Sequence, residues 1–130
     1  MKSALRVALF LAIGFFPVAG PLSAHHGTAG YDMDKVVLVT GTVANFDWSN
    51  PHCLIHIDAK DEKGEPKEWI IELGAPTLMR RHGWTKDVMK TGDAIVAETH
   101  PAKNGAPTGL SGSSTVLLKF VINGHELPSQ

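Results

Sequence analysis

Cysteine is nearly absent: Cys53 stands alone in 130 residues. No internal disulfide is available, so in an oxidising compartment packing alone must hold the domain together. As a functional group Cys53 would be a thiolate ligand or reactive thiol; as a structural one, a small buried hydrophobe within an apolar strand face, which its neighbours favour. No cysteine lies near the end of the leader, so the lipid anchor of a bacterial lipoprotein is excluded. A long apolar run is also missing. A bilayer span needs about 20 apolar residues, whereas the stretch from Val7 to Phe16 is interrupted by Gly14 and stopped by Pro17. Recognisable catalytic constellations are missing too: there is no Ser/His/Asp motif in context, no phosphate loop, no Cys-x-x-Cys and no helical His-Glu-x-x-His.

What the leader does contain is Lys2 and Arg6, then the apolar run, then Pro21-Leu22-Ser23-Ala24 with small residues before a cut. This order reads as a cleavable secretory signal peptide over residues 1–24, processed after Ala24. Cleavage after Gly20 would place Pro21 first, which the peptidase disfavours. An uncleaved anchor is the alternative, and it would need a longer apolar stretch. Processing removes two cations and no carboxylates, so Lys+Arg falls from 12 to 10 against 13 Asp+Glu, and net charge moves from −1 to −3. That balance gives no basis for nucleic-acid binding. Residues 25–130 then make one periplasmic domain, with an arm over 25–34, a frayed tail over 128–130, and no stable membrane anchor after cleavage.

Val36 to Phe46 is rich in Val and Thr with Gly41 at its middle, which suits a long strand bent by a bulge or kink. Asp47-Trp48-Ser49-Asn50-Pro51 reads as a turn. From His52 to Ala59 the residues alternate, with Cys53, Ile55, Ile57 and Ala59 on the core face and His52, Leu54, His56 and Asp58 on the other. Asp61 to Pro66 is a hairpin loop, and Trp69, Ile71 and Leu73 share one face of a third strand. Pro76 as a first helical residue, Arg80, Arg81 and His82 in a last turn, and Gly83 as a left-handed cap predict a short helix from Ala75 to His82. Trp84 then lies where it packs back toward Met79. The two arginines could also receive an anion.

Lys90-Thr91-Gly92-Asp93 is a turn, and Ala94 to Thr99 is a fourth strand with Ile95 and Ala97 inward. Pro101 to Gly112 is rich in Gly, Pro, Ala and Ser and reads as a mobile or binding loop. Ser114 to Ile122 is predicted as the fifth strand, with Asn123-Gly124 as a hairpin turn. Three strands, a helix, then two strands is the order of the OB-fold, a five-stranded Greek-key barrel in which a helix joins the third and fourth strands. The expected class is mainly β, a small OB-like barrel; an open β-sandwich is the alternative.

Seven histidines invite a chemical reading. After cleavage at Ala24, the α-amine and ring of His25 can chelate one metal ion, a donor set that favours copper. An α-amine has a reference pKa of about 8, so copper can displace its proton near neutral pH. The arrangement resembles the histidine brace of exported copper proteins, which needs a further histidine from the folded body. His52 and His56 have the spacing of helical metal sites, but four residues of strand span about 13 Å. At most one joins a site. His52, beside the Asn50-Pro51 turn, is the better placed. Asp47, Asp58 and Asp93 suit turns or strand edges better than catalysis.

Several motifs together resemble a family of small exported bacterial proteins with a domain of unknown function. They are His25-His26, Gly41-Thr42-Val43, Trp48-Ser49-Asn50-Pro51-His52, Glu72-Leu73-Gly74-Ala75-Pro76, Arg81-His82-Gly83-Trp84 and Gly92-Asp93. The resemblance implies a periplasmic location and a small β-barrel, with no established activity. Two features depart from the family pattern. Gly27-Thr28-Ala29 stands where an aromatic or larger residue is usual, which weakens the expected packing of the arm, and Phe120 to Ile122 is less polar than usual.

The expected function is a periplasmic binding module without catalysis of its own, holding copper through His25 with His26 or His52. An alternative is a non-metal module that recognises a small molecule or a periplasmic protein, with Trp48, Asn50 and His100 as candidate contacts. A copper-dependent redox enzyme is the third reading; it would need an open coordination position and a substrate surface.

Overall fold

The computed structural model describes residues 27–112 and 117–129. The leader and His25 and His26 therefore lie outside the described residues. The chain forms strands β1 (Val37–Asp47), β2 (Leu54–Lys60), β3 (Pro66–Glu72), β4 (Ala94–Pro101), β5 (Thr108–Leu110), β6 (Phe120–Ile122) and β7 (His125–Glu126). One helix, α1 (Pro76–Arg81), lies between β3 and β4.

β1 is long because it serves two neighbours. Its first half pairs with β4, from Val37 opposite Thr99 to Thr42 opposite Ala94, and its second half pairs with β2, from Gly41 opposite Ala59 to Asp47 opposite Leu54. The two ladders overlap at Gly41 and Thr42. A Cβ on Gly41 would collide with the Asp58 carbonyl and stand 2.9 Å from the Ile57 side chain, so only glycine permits the approach. The bulge itself lies further on, between Val43 and Asn45. It inserts one residue and reverses the alternation, so that Val39 and Val43 point inward before it and Phe46 packs on the core after it.

The barrel closes in the order β1-β2-β3-β5-β4-β1. β5 runs parallel to β3, with Ile71 opposite Gly109, and antiparallel to β4, with His100 opposite Leu110. This closure corrects the expected fifth strand. The closing strand lies inside the stretch read as a loop, and the run expected from Ser114 begins, among the described residues, only at Phe120. β5 has three residues and a central glycine, so it carries no alternation. Its strand form comes from two waiting backbone edges. β6 continues along β4, with Ile95 opposite Ile122, and turns into β7 through Asn123 and Gly124, both at positive φ.

Ile55, Ile57, Ile71 and Ile95 fill the barrel, and Cys53 lies fully buried among them. α1 plugs one end with Met79. It ends as its sequence demands: Pro76 opens it, Gly83 takes φ 83°, Gly83 N–H donates to Arg80 and Trp84 N–H donates to Met79. That cap turns Trp84 into the core, edge-on to Phe120 at 5.1 Å, with its Nε1 donating to the Pro128 carbonyl at 2.7 Å. Across the barrel the Asp93 carboxylate accepts from Lys90 N–H at 2.9 Å and from the Asn123 amide at 3.0 Å, fastening the β4 turn to the terminal hairpin. No described helix is long and apolar enough to cross a membrane.

Candidate functional site

The ladder between β2 and β3 continues past the ends of both strands. Cys53 N–H donates to Gly74 O, and Leu73 N–H donates to Cys53 O. Because Cys53 and Leu73 are buried, the pleat turns His52 and Glu72 to the outer face. There His52 Nδ1 meets Glu72 Oε1 at 2.8 Å. The other carboxylate oxygen of Glu72 accepts from the Tyr31 hydroxyl at 3.3 Å. Burial, and then the charge and hydrogen bond of Glu72, push the Tyr31 phenol above its ordinary value, so it stays a neutral donor at physiological pH.

Tyr31 reaches Glu72 because the arm is fastened to the barrel. Tyr31 bridges to Ala102, Asp32 N–H donates to Pro101 O, and Lys103 N–H donates to Gly30 O. The small residues Gly27-Thr28-Ala29 do not prevent docking, because Tyr31 supplies the packing group. Glu72 divides two open hollows. One, of about 410 Å³, lies between the arm and the β4–β5 turn and is lined by Gly27, Tyr31, Glu72, Asn104 and Thr108. The other, of about 320 Å³, lies under the Asn50–Pro51 turn and is lined by Ser49, Asn50, His52 and Glu72.

The remaining candidates fall elsewhere. His56 stands on the same face of β2 as His52 but bonds its own carboxylate, Glu68, at 2.9 Å, so the two histidines do not converge. His100 Nδ1 meets the Lys35 carbonyl at 2.8 Å on the outer side of β4. Trp48 is half-buried, edge-on to Phe46 at 5.6 Å, with the Arg80 guanidinium 5.6 Å above its ring. One of the two arginines considered for an anion is therefore occupied by an aromatic face. His82 is buried with neither ring nitrogen partnered among the described residues. Burial, partly offset by a backbone hydrogen bond from Ser49, pushes the Cys53 thiol up to about 11, the behaviour of a packing residue.

Among the described residues no three of His, Cys, Asp and Glu converge on one point. His52 and Glu72 thus form an anchor that needs donors from outside those residues to hold a metal. Glu72 and Tyr31 escaped the sequence reading. Glu72 is the outward residue between Ile71 and Leu73, but its meeting with His52 requires the register of β2 on β3.

These features define a class: a small closed β-barrel with a histidine, a carboxylate and a phenol joined on its outer wall beside a docked N-terminal arm. The chain belongs to the Family of unknown function (DUF6152), whose family model matches residues 14–112. The match spans the arm and all five barrel strands and ends before the β6–β7 hairpin. No curated protein and no solved structure matches the chain.

Proposed function

We propose that this chain is an exported periplasmic binding module that holds copper through the amine and ring of a mature N-terminal His25, with His26 or His52 completing the donor set. One observation carries the reading. Gly27, two residues after His25, lines the same hollow as Glu72, and Glu72 in turn contacts the ring of His52 at 2.8 Å. Gly27 is thus the point at which the proposed terminal ligands join the described wall. The 2.8 Å contact of His52 Nδ1 with the Glu72 carboxylate supports the reading further. Histidines that ligate metals commonly engage the other ring nitrogen with a carboxylate, which fixes the ring and raises its basicity.

The test uses the full chain expressed with its own leader and recovered after processing. Mass spectrometry of the N-terminus is expected to give His25 as the first residue. Calorimetric titration with copper is expected to show tight 1:1 binding that weakens at least tenfold in His25→Ala, and less steeply in His52→Ala. Weak binding that is unchanged by His25→Ala would refute the proposal.

A second reading is favoured by the hollow between arm and barrel, where Tyr31, Glu72, Asn104 and Thr108 present polar groups to a small molecule. Metal analysis of untagged protein separates the two. Copper retained after reconstitution and dialysis supports the first reading, and none retained supports the second.

A further inference from the structure

We propose that Glu72 is the positioning residue of this site, a single carboxylate that sets the tautomer of His52 and docks the N-terminal arm through Tyr31. The proposal rests on the copper reading for its ligand, but its primary readout needs no metal.

An ionised carboxylate only accepts hydrogen bonds. At 2.8 Å from Glu72 Oε1, an unprotonated His52 Nδ1 would set its lone pair against the carboxylate, so the contact favours the proton on Nδ1. In the neutral ring the lone pair is then on Nε2, the atom left to a ligand. A free imidazole prefers the opposite tautomer, with the proton on Nε2, so the preference at His52 is set by Glu72. The second oxygen holds the Tyr31 hydroxyl at 3.3 Å, and Tyr31 lies four residues after Gly27. One carboxylate thus orients the barrel's donor and fixes the segment that leads to the terminal donor.

The chain contains its own control. His56 Nδ1 and Glu68 are hydrogen-bonded at 2.9 Å, an alignment that the 2.8 Å contact of His52 with Glu72 does not reach; the Glu68 side chain is 56% exposed against 20% for Glu72, and no described arm residue caps it. Water competes freely for Glu68. The Glu72 carboxylate is the more enclosed of the two, so water competes less for it, while the His52 ring is 37% exposed against 26% for His56.

The experiment compares wild type, Glu72→Leu, Glu72→Gln and Tyr31→Phe, each expressed with its own leader. Nitrogen-15 imidazole spectra are recorded above neutral pH, and thermal melts establish that each variant is folded. Wild-type His52 is expected to be mainly the Nδ1–H tautomer. Glu72→Leu is expected to move it toward Nε2–H, with His56 unmoved, and to weaken copper binding by 10- to 100-fold, the usual effect of losing an outer-shell partner. Glu72→Gln, whose amide oxygen still accepts, restores the tautomer and most of the affinity. Tyr31→Phe leaves the tautomer unchanged. A His52 tautomer that does not respond to Glu72→Leu overturns the proposal. If wild type binds no copper, the copper reading falls while the spectra still decide the role of Glu72.

Discussion

Replacing Gly109 with alanine probes how the barrel closes. Gly109 is the central residue of β5, held between Ile71 of β3 and Pro101 of β4. A Cβ there would stand 2.6 Å from Cγ2 and 2.8 Å from Cβ of Thr99, and would also collide with its hydroxyl oxygen. Carbon atoms pack best at about 3.5–4.0 Å, so about an ångström of separation must be found. Thr99 is fully buried and β-branched, so its side chain has no free rotamer to swing into. The strands must part instead. Overpacking of this kind costs about 1–3 kcal/mol. Against it, alanine reduces the entropy of the unfolded chain, a gain of about 0.4–1 kcal/mol. The clash wins, and Gly109→Ala is expected to lose about 1–2 kcal/mol, a fall in Tm on the order of 8 °C. Thr99→Ala removes two of the three contacts and with them a buried hydroxyl that has no partner among the described residues. The double variant is expected to recover at least about 0.5 kcal/mol relative to additivity. Urea unfolding with unchanged m values measures the cycle. A Gly109→Ala protein as stable as wild type, or a strictly additive cycle, would refute the closure argument.

The Asn123 amide, and then the Lys90 N–H, hold the Asp93 carboxyl below the usual carboxylate range. The folded pKa is the lower one, so this stabilisation is complete above about pH 5 and is lost as pH falls through the unfolded and then the folded value. Asp93→Ala should therefore lower the urea midpoint at neutral pH, with the gap to wild type shrinking below about pH 5; a constant gap contradicts the assignment. Cys53, buried and with its pKa at about 11, should react with an aromatic disulfide reagent at pH 8 only as fast as the protein unfolds. Rapid reaction in the folded state would show that the strand face opens.

Much of the fold was legible in the chain. The alternation of Cys53, Ile55 and Ile57, the Val-rich run around Gly41, and the Pro76 to Gly83 punctuation are local signals. Each matches an element found within one or two residues of its expected ends. The motif set pointed to a domain of unknown function, and the family match agrees. β5 was illegible for a local reason: three residues around a glycine carry no periodicity, and the apolar run after Ser114 offered a stronger pattern. The site was half legible. His52 stood out by residue type and by its place after the Asn50–Pro51 turn, whereas Glu72 looked like any polar residue on an outer strand face.

By itself, then, the sequence determined which segments become strands and helix, which faces turn inward, and that its histidines deserve chemical scrutiny. Tertiary structure alone decided that Gly109 completes the barrel and that Tyr31, His52 and Glu72 meet. Periodicity and caps act over a few residues, where neighbours along the chain supply the contacts. Closure and the outer-wall cluster depend on strand register, which is fixed only when the whole barrel packs and which a one-residue slip would reverse.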